Sequence, residues 1–211
     1  MKAVGTSTFE RMERMYAPQQ RIYDLTRAWY LLGRDRLLDA IAARPGEMLV
    51  DVGCGTGRNL DRVARLYPRT RLCGIDPSRA MLKTAGRRLV LEDVRLLHGV
   101  AEDLPVMLAR GAITAPDHIL FSYSLSIMPD PLGAIEAALD VLPAGGWLHV
   151  VDFGPMDRLP RWFATGMKSW LERFDVRHRP QVAERLAALP QTSLVRPFGG
   201  YCELIHLRNR G

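Results

Sequence analysis

Three glycines at alternate positions, Gly53, Gly55 and Gly57, stand directly behind the apolar start of LVDVGCGTGRN (residues 49–59), with acids at Asp51 and, further on, at Asp76. A strand that turns at once into a helix needs such residues, because glycine permits both the turn and a close approach of backbone to ligand. The helix that follows offers free N–H groups to a carboxylate. Asp76 ends a second apolar run, RLCGID (71–76), and a carboxylate at that place can accept both hydroxyls of a ribose. The dinucleotide fingerprint G-x-G-x-x-G would need glycine at position 58 or 60. Arg58 and Leu60 stand there instead, so a nicotinamide or flavin site is excluded.

The elements that must position these groups follow from the pattern of apolar runs. From residue 48 to 153, short runs alternate with helical stretches: MLVDV, a helix over 58–66, RLCGI, a helix over 78–91, VRLLH, a loop, HILFS, a helix over 131–142, and WLHVVDF. Helices over 159–174 and 181–188, then the runs SLVRPF and YCELIHL, complete seven strands. This alternation predicts an α/β fold, a doubly wound and mostly parallel seven-stranded sheet. Residues 1–43 read as a helical preface with Ile22, Thr26, Trp29, Gly33 and Leu37 on one stripe, closed by Arg44-Pro45-Gly46. In an open sheet the ligand lies beyond the carboxyl ends of the strands. Asp51 to Gly57, Asp76, the turn at 99–103, the turn at 121–124 and Asp152 are therefore expected along one rim.

With 211 residues, 47% of them hydrophobic, the chain suits one domain with a sizeable core. Cys54, Cys73 and Cys202 show no metal-ligand spacing, and an odd count of three fits a reducing compartment. No metal site is expected. No signal peptide is read at the start, and no apolar run approaches the ~18 residues of a membrane span. The net charge of +6 is uneven: +2 over residues 1–43, −1 over 44–154 and +5 over 155–211. Such a basic end can face nucleic acid, anionic lipid or water.

Over residues 45–153 the motifs resemble the class I S-adenosylmethionine-dependent methyltransferases, a Rossmann-like fold. The resemblance implies S-adenosylmethionine as cofactor, with S-adenosylhomocysteine as product. It assigns Asp51, Gly53, Gly55, Gly57 and Asn59 to the cofactor loop, Asp76 to the ribose, and Met81 or Ile75 to a face of the adenine. Backbone near Ser122 is assigned to the methionine amine. Many relatives have Gly-Asp-Ala where this chain has Gly99-Val100-Ala101, so the adenine amino contact next to Ala101 falls to Glu102 or Asp103.

Further segments, IYDLTRAWYLLGRDRLL (22–38), SYSLSIMPD (122–130), LHVVDFG (148–154), LPRWF (159–163) and WLERFDV (170–176), make the chain similar to the bacterial diacylglycerylhomoserine N-methyltransferases of betaine-lipid synthesis. That similarity implies three methyl transfers to the homoserine amine of a diacylglycerol ether lipid. It divides the chain into an N-terminal helical lid and substrate region (1–44) and a methyltransferase domain (45–211). Phospholipid N-methyltransferases share the architecture, which keeps phosphatidylethanolamine, or a small molecule methylated on nitrogen or oxygen, as alternatives.

An amine acceptor must be neutral, desolvated and aligned, so positioning outweighs acid–base chemistry. Ring faces attract the quaternary ammonium product by roughly 0.5–2 kcal/mol without hydrogen bonds that methylation would destroy. Tyr23 and Tyr123 are the candidates for the reacting centre, with Tyr16, Tyr30 and Tyr201 as further acceptor contacts; each could instead pack on the sheet. Arg34 could reach the methionine carboxylate or the homoserine carboxylate, or pair with acids on its own helix. His149 could relay the amine proton or be a hydrogen-bonded core residue.

Over 159–174, Leu159, Trp162, Phe163, Met167, Trp170, Leu171 and Phe174 share one helical face, opposite Arg161, Lys168 and Glu172. Such a helix can lie in an anionic membrane surface or simply cover the sheet. The expected location is cytoplasmic, at the inner face of the membrane. Nucleic acid is not the expected partner: Ser122-Tyr123-Ser124-Leu125 lacks the proline pair of base amino-methylating enzymes, and Cys54 belongs to the loop rather than serving as a nucleophile.

Overall fold

A computed structural model describes residues 30–90 and 93–210. The seven strands are β1 (Met48–Val52), β2 (Arg71–Asp76), β3 (Val94–His98), β4 (His118–Ser122), β5 (Trp147–Phe153), β6 (Thr192–Val195) and β7 (Cys202–Arg208). They form one sheet in the order β3-β2-β1-β4-β5-β7-β6. Neighbours from β3 to β5 run parallel, and β7 is antiparallel to both β5 and β6. Strand order reverses between β1 and β4, and this places the glycine loop at the crevice of the open sheet.

The helices are α1 (Arg34–Asp39), α2 (Arg58–Leu66), α3 (Arg79–Arg88), α4 (Leu104–Arg110), α5 (Pro131–Val141), α6 (Arg161–Glu172) and α7 (Pro180–Ala187). They cover both faces. Val50, Ile119, Phe121, Leu148 and Val150 point to one side, into a core with Leu104 of α4, Ile135 of α5 and Leu186 of α7. Leu49, Leu120, Val151 and Phe153 point to the other, against Leu37 and Leu38 of α1, Leu60 and Val63 of α2, and Leu171 of α6. This is the period of two expected of buried strands. Caps set the helix starts: the Ser78 hydroxyl accepts from the Met81 N–H, and Asp130 accepts from the Gly133 N–H just after Pro131.

Three sequence expectations need correction. The preface does not run as one helix to residue 43. Gly33 breaks it with a left-handed backbone (φ 82°), and only Arg34–Asp39 is helical beyond that point. A Cβ at Gly33 would sit 2.7 Å from the Cys202 sulfur and 3.1 Å from Leu204, so the chain turns there to pass over β7. The supposed loop after β3 contains a turn, Ala101–Asp103, followed by α4. Pro105 stands in the first turn of α4, where proline starts a helix rather than breaking one. Finally, α6 begins at Arg161, with Pro160 as its cap. Ile22, Thr26, Trp29 and Leu91 lie outside the described residues.

Candidate functional site

The carboxyl ends of β1, β2 and β4 open onto a cleft. Its lining includes Gly53, Gly55, Asn59, Ile75, Asp76, Met81, Ala101, Glu102, Ser122 and Tyr123, all singled out from the sequence. The loop is shaped by close approach. Gly53 (φ 79°) would push a Cβ to 2.6 Å from that of Ser124, whereas a Cβ on Gly55 (φ 54°) would meet nothing within 4 Å, because that face is open. Gly57 and Asp51 do not line the cleft and act from behind it. Gly57 (φ 74°) caps α2 and lets α3 approach, with the Ala85 Cβ 3.0 Å from where its own would be.

Asp76 is held at both oxygens: the Gly55 N–H donates to Oδ2 at 2.8 Å and the Ser78 N–H to Oδ1 at 2.9 Å. Burial nevertheless raises its pKa to about 6. Each carboxylate oxygen carries a second lone pair, which leaves acceptor capacity for the ribose hydroxyls of an adenosine. Asp51 is fully buried, and its Oδ2 accepts from the Asn59 amide at 3.2 Å. Its pKa is pushed up to about 7 by burial, Asn59 opposing and Asp76 adding to the rise. Asp51 Oδ1 and the Ser122 hydroxyl have no partner among the described residues. Ser122 lines the cleft, so its unsatisfied hydroxyl fits a ligand bound there, whereas Asp51 Oδ1 lies behind the loop. Glu102 lines the β3 side, its pKa also raised by burial.

At the other end stand Leu31, Arg34 and Tyr123, with Arg58 at the start of α2. Arg34 is only 8% exposed. Its pKa is lowered, first by burial and then by Arg58. Tyr123 has a left-handed backbone (φ 54°), uncommon for an aromatic residue and a mark of a constrained position. Its N–H donates to Val151 O at 2.7 Å and its hydroxyl to Leu32 O. Burial raises the phenol pKa well above its ordinary value. The hydroxyl is therefore committed, and Tyr123 contributes to the wall of the cleft rather than as a base.

The other acceptor-side expectations fare differently. Tyr16 and Tyr23 lie outside the described residues. Tyr30 and Tyr201 are not on the cleft: both pack behind Tyr123 against Phe153, at ring-centroid distances of 6.4 and 5.9 Å. His149 is at the opposite end of the sheet and cannot meet an acceptor in this cleft. It lines a second cavity at the amino ends of the parallel strands. There Glu47 Oε2 and His118 Nε2 lie 3.0 Å apart, His118 Nδ1 and His149 Nε2 3.0 Å, and His149 Nδ1 and His206 Nδ1 2.8 Å. One proton on each ring satisfies every contact in that chain. Burial, then His206 and His118, push the His149 pKa well below its ordinary value, so it is held neutral. Sequence reasoning left Leu31 and Met128 out of the wall. No sequence signal marked them, because the fold, not a motif, brings them to the loop.

The sheet order and the site at its reversal define a Rossmann-like methyltransferase fold. Residues 50–148 match the family model described as a methyltransferase domain, which with the sheet order supports an S-adenosylmethionine-dependent methyltransferase. The cleft at the glycine loop is accordingly the candidate S-adenosylmethionine site. The chain is similar to a trans-aconitate 2-methyltransferase of Afipia carboxidovorans, 30% identical over 176 residues, 81% of this chain and 64% of that protein. It is also similar to a ribosomal RNA small subunit methyltransferase H of a Parafrankia species, 36% identical over 95 residues, 44% of this chain and 29% of that one. The chain thus spans less than two thirds of the length of these relatives. In fold it resembles a chain of the complex between the Haloferax volcanii Trm112 methyltransferase activator and a methyltransferase. That match has a TM-score of 0.74 at 14% identity, covering 94% of this chain and 97% of the other.

Proposed function

We propose that the chain is an S-adenosylmethionine-dependent N-methyltransferase that methylates the homoserine amine of diacylglycerylhomoserine three times, working at an anionic membrane surface on the cytoplasmic side. One observation carries this reading: an unbroken run of rings leads from the cleft wall to an exposed helix face. Tyr123 meets Phe153 at 4.7 Å, Phe153 meets Tyr30 at 6.4 Å, Tyr30 meets Trp170 of α6 at 5.0 Å, and Trp170 meets Phe174 at 5.1 Å. On the same helix Trp162 is 78% exposed, although only Ala164 and Leu171 of α6 are fully buried. Tryptophan at headgroup depth beside Arg158, Arg161, Lys168 and Arg173 suits an interfacial helix. No helix among the described residues is long and apolar enough to cross a membrane.

Asp76, Gly55 and the start of α2 would hold S-adenosylmethionine, whose sulfonium would supply an electrophilic methyl to the amine lone pair, the carbon–sulfur bonding pair returning to sulfur. Leu31 and the Tyr123 wall exclude water from the acceptor end, which favours the neutral amine over its ammonium form. Each of the first two products must lose a proton before the next transfer, and the third keeps its charge, which rings tolerate well.

A soluble carboxylic acid acceptor is the second reading, favoured by the two guanidinium groups at the cleft and by the similarity to a trans-aconitate methyltransferase. The readings separate when purified protein is given labelled donor with vesicles containing diacylglycerylhomoserine, with vesicles containing phosphatidylethanolamine, or with trans-aconitate or RNA. Label in the homoserine lipid alone is expected. Label in phosphatidylethanolamine alone, or in the acid or the RNA, would replace the assignment.

A further inference from the structure

Strand β4 ends at Ser122 and α5 begins at Pro131, and the chain between them makes one tight turn, Leu125–Ile127. Around that turn Tyr123, Ser124, Ile127, Met128 and Pro129 line the cleft. The turn lies close against the glycine loop: the Ser124 hydroxyl donates to Val52 O at 3.0 Å, and the Met128 methyl is 3.6 Å from where a Cβ on Gly53 would be. Any displacement of the turn therefore changes the gap between the acceptor wall and the donor loop. The turn holds itself weakly. Its own bonds, from the Ile127 N–H to Ser124 O and from the Met128 N–H to Leu125 O, are 3.3 and 3.2 Å, at the long end of the usual range, and a turn of this tight kind has poor bond geometry. Shorter bonds reach it from outside. The Ser126 N–H donates to Asp152 Oδ2 at 2.9 Å, and the Arg179 guanidinium donates through Nη2 to Met128 O at 3.0 Å. The Arg177 N–H donates to Ser126 O at 3.1 Å. Asp152, near the end of β5, accepts at its other oxygen from the Phe153 N–H at 2.8 Å, so the carboxylate is fixed to its own strand. Arg179 immediately precedes α7. Each of these two side chains brings a charge to a main-chain group, and such bonds are roughly twice as strong as neutral ones.

We propose that Asp152 and Arg179 are positioning residues for methyl transfer: Asp152 holds the middle of the turn from the sheet, Arg179 holds its end from the start of α7, and together they fix it over the glycine loop. Neither lines the cleft, and both act through the main chain of Ser126 and Met128. The clamp sets the space that donor and acceptor share. Transfer is sensitive to that space, since a misplacement of about 1 Å can cost on the order of 100-fold in rate. The proposal rests on the cleft holding the methyl donor and not on which acceptor enters it.

The test compares the parent protein with Asp152→Asn, Arg179→Met, Arg179→Lys and the double variant Asp152→Asn/Arg179→Met. Three quantities are read: S-adenosylhomocysteine affinity by calorimetry, amide hydrogen exchange over residues 123–129 by mass spectrometry, and kcat and KM with vesicles containing diacylglycerylhomoserine or with whichever acceptor tested above the parent methylates. The asparagine oxygen replaces only one of two carboxylate acceptors, and methionine keeps an unbranched stem without donors. Asp152→Asn and Arg179→Met should each lower kcat by on the order of 10- to 100-fold with KM little changed. Each should also quicken exchange selectively over 123–129 while S-adenosylhomocysteine affinity stays within a few-fold. Arg179→Lys, which keeps a charged donor, should recover part of kcat. The double variant should lose less than the product of the two single losses, because both act on one turn. Parental kcat in the folded variants overturns the proposal. Exchange quickened equally along the whole chain, or a loss of S-adenosylhomocysteine affinity that matches the loss of kcat, overturns it too. If the parent methylates none of the acceptors, the proposed function falls while exchange still decides the clamp: unchanged exchange over 123–129 overturns it, and a selective rise there supports it.

Discussion

At the scale of single residues, burial sets the behaviour of the acids. Asp76, with a pKa of about 6, should be ionised at pH 7 and lose its charge below pH 6. S-adenosylhomocysteine affinity should therefore fall as pH drops through about 6, and Asp76→Asn should weaken binding by about 1.5–3 kcal/mol and abolish the step, both read by calorimetry. The same burial acts on stability with a definite sign. Asp51, Asp76 and Asp152 all have raised pKa values in the fold, to about 7, 6 and 6. The native chain then holds those protons more tightly than the unfolded chain, so the ligand-free protein should lose stability between pH 4 and 7 and level off above. Urea midpoints across that range would show it. Gly53→Ala places a methyl 2.6 Å from Ser124 on a left-handed backbone and should lower both the melting temperature and the donor affinity, while Gly55→Ala meets only the backbone cost of about 1–2 kcal/mol. The roles of Asp76, Gly53 and Gly55 were legible because strand, turn and acid are close in sequence. Those of Asp51 and Gly57 were legible only as membership of the loop: that they support it from behind depends on how α2 and α3 pack.

At the scale of elements, the apolar runs predicted every strand, and α2 was bounded at Arg58–Leu66 as expected. Two of the misses share a cause, a local signal overridden by a distant contact. Position 33 must be glycine because β7, near the other end of the sequence, passes too close for a Cβ, and its left-handed backbone lets the described helix begin only at Arg34. His149 has the rim strand that was expected, but at its buried amino end, where His118 and His206 claim both ring nitrogens. His149→Phe should cost about 1–3 kcal/mol for each buried partner left unpaired. Its kcat/KM per folded molecule should match that of the parent, and a selective loss of turnover would return His149 to the catalytic account. On α6, Trp162→Ala should change stability by no more than about 0.5 kcal/mol, given the exposure of Trp162, yet weaken co-sedimentation with anionic vesicles in a salt-sensitive manner. Undiminished co-sedimentation would make α6 an ordinary cover of the sheet.

At the scale of the molecule, the reversal of strand order between β1 and β4 gathers loop, acids and guanidinium groups at one edge, and the rings of α6 continue that edge outward. The cleft, its Tyr123 wall and the exposed face of α6 are thus contiguous, as the proposed methylation of a headgroup held in its bilayer would require. The donor end was readable from one motif. The acceptor end was not, because it is assembled from α1, the β4 turn and α6, whose residues have no fixed spacing. The most direct measurement is the lipid mass spectrum after purified protein, S-adenosylmethionine and a total lipid extract are incubated with and without added diacylglycerylhomoserine. The account predicts conversion of that lipid to the form carrying three added methyl groups. Unchanged diacylglycerylhomoserine, with the methyl found on phosphatidylethanolamine or on a soluble acid, would contradict it.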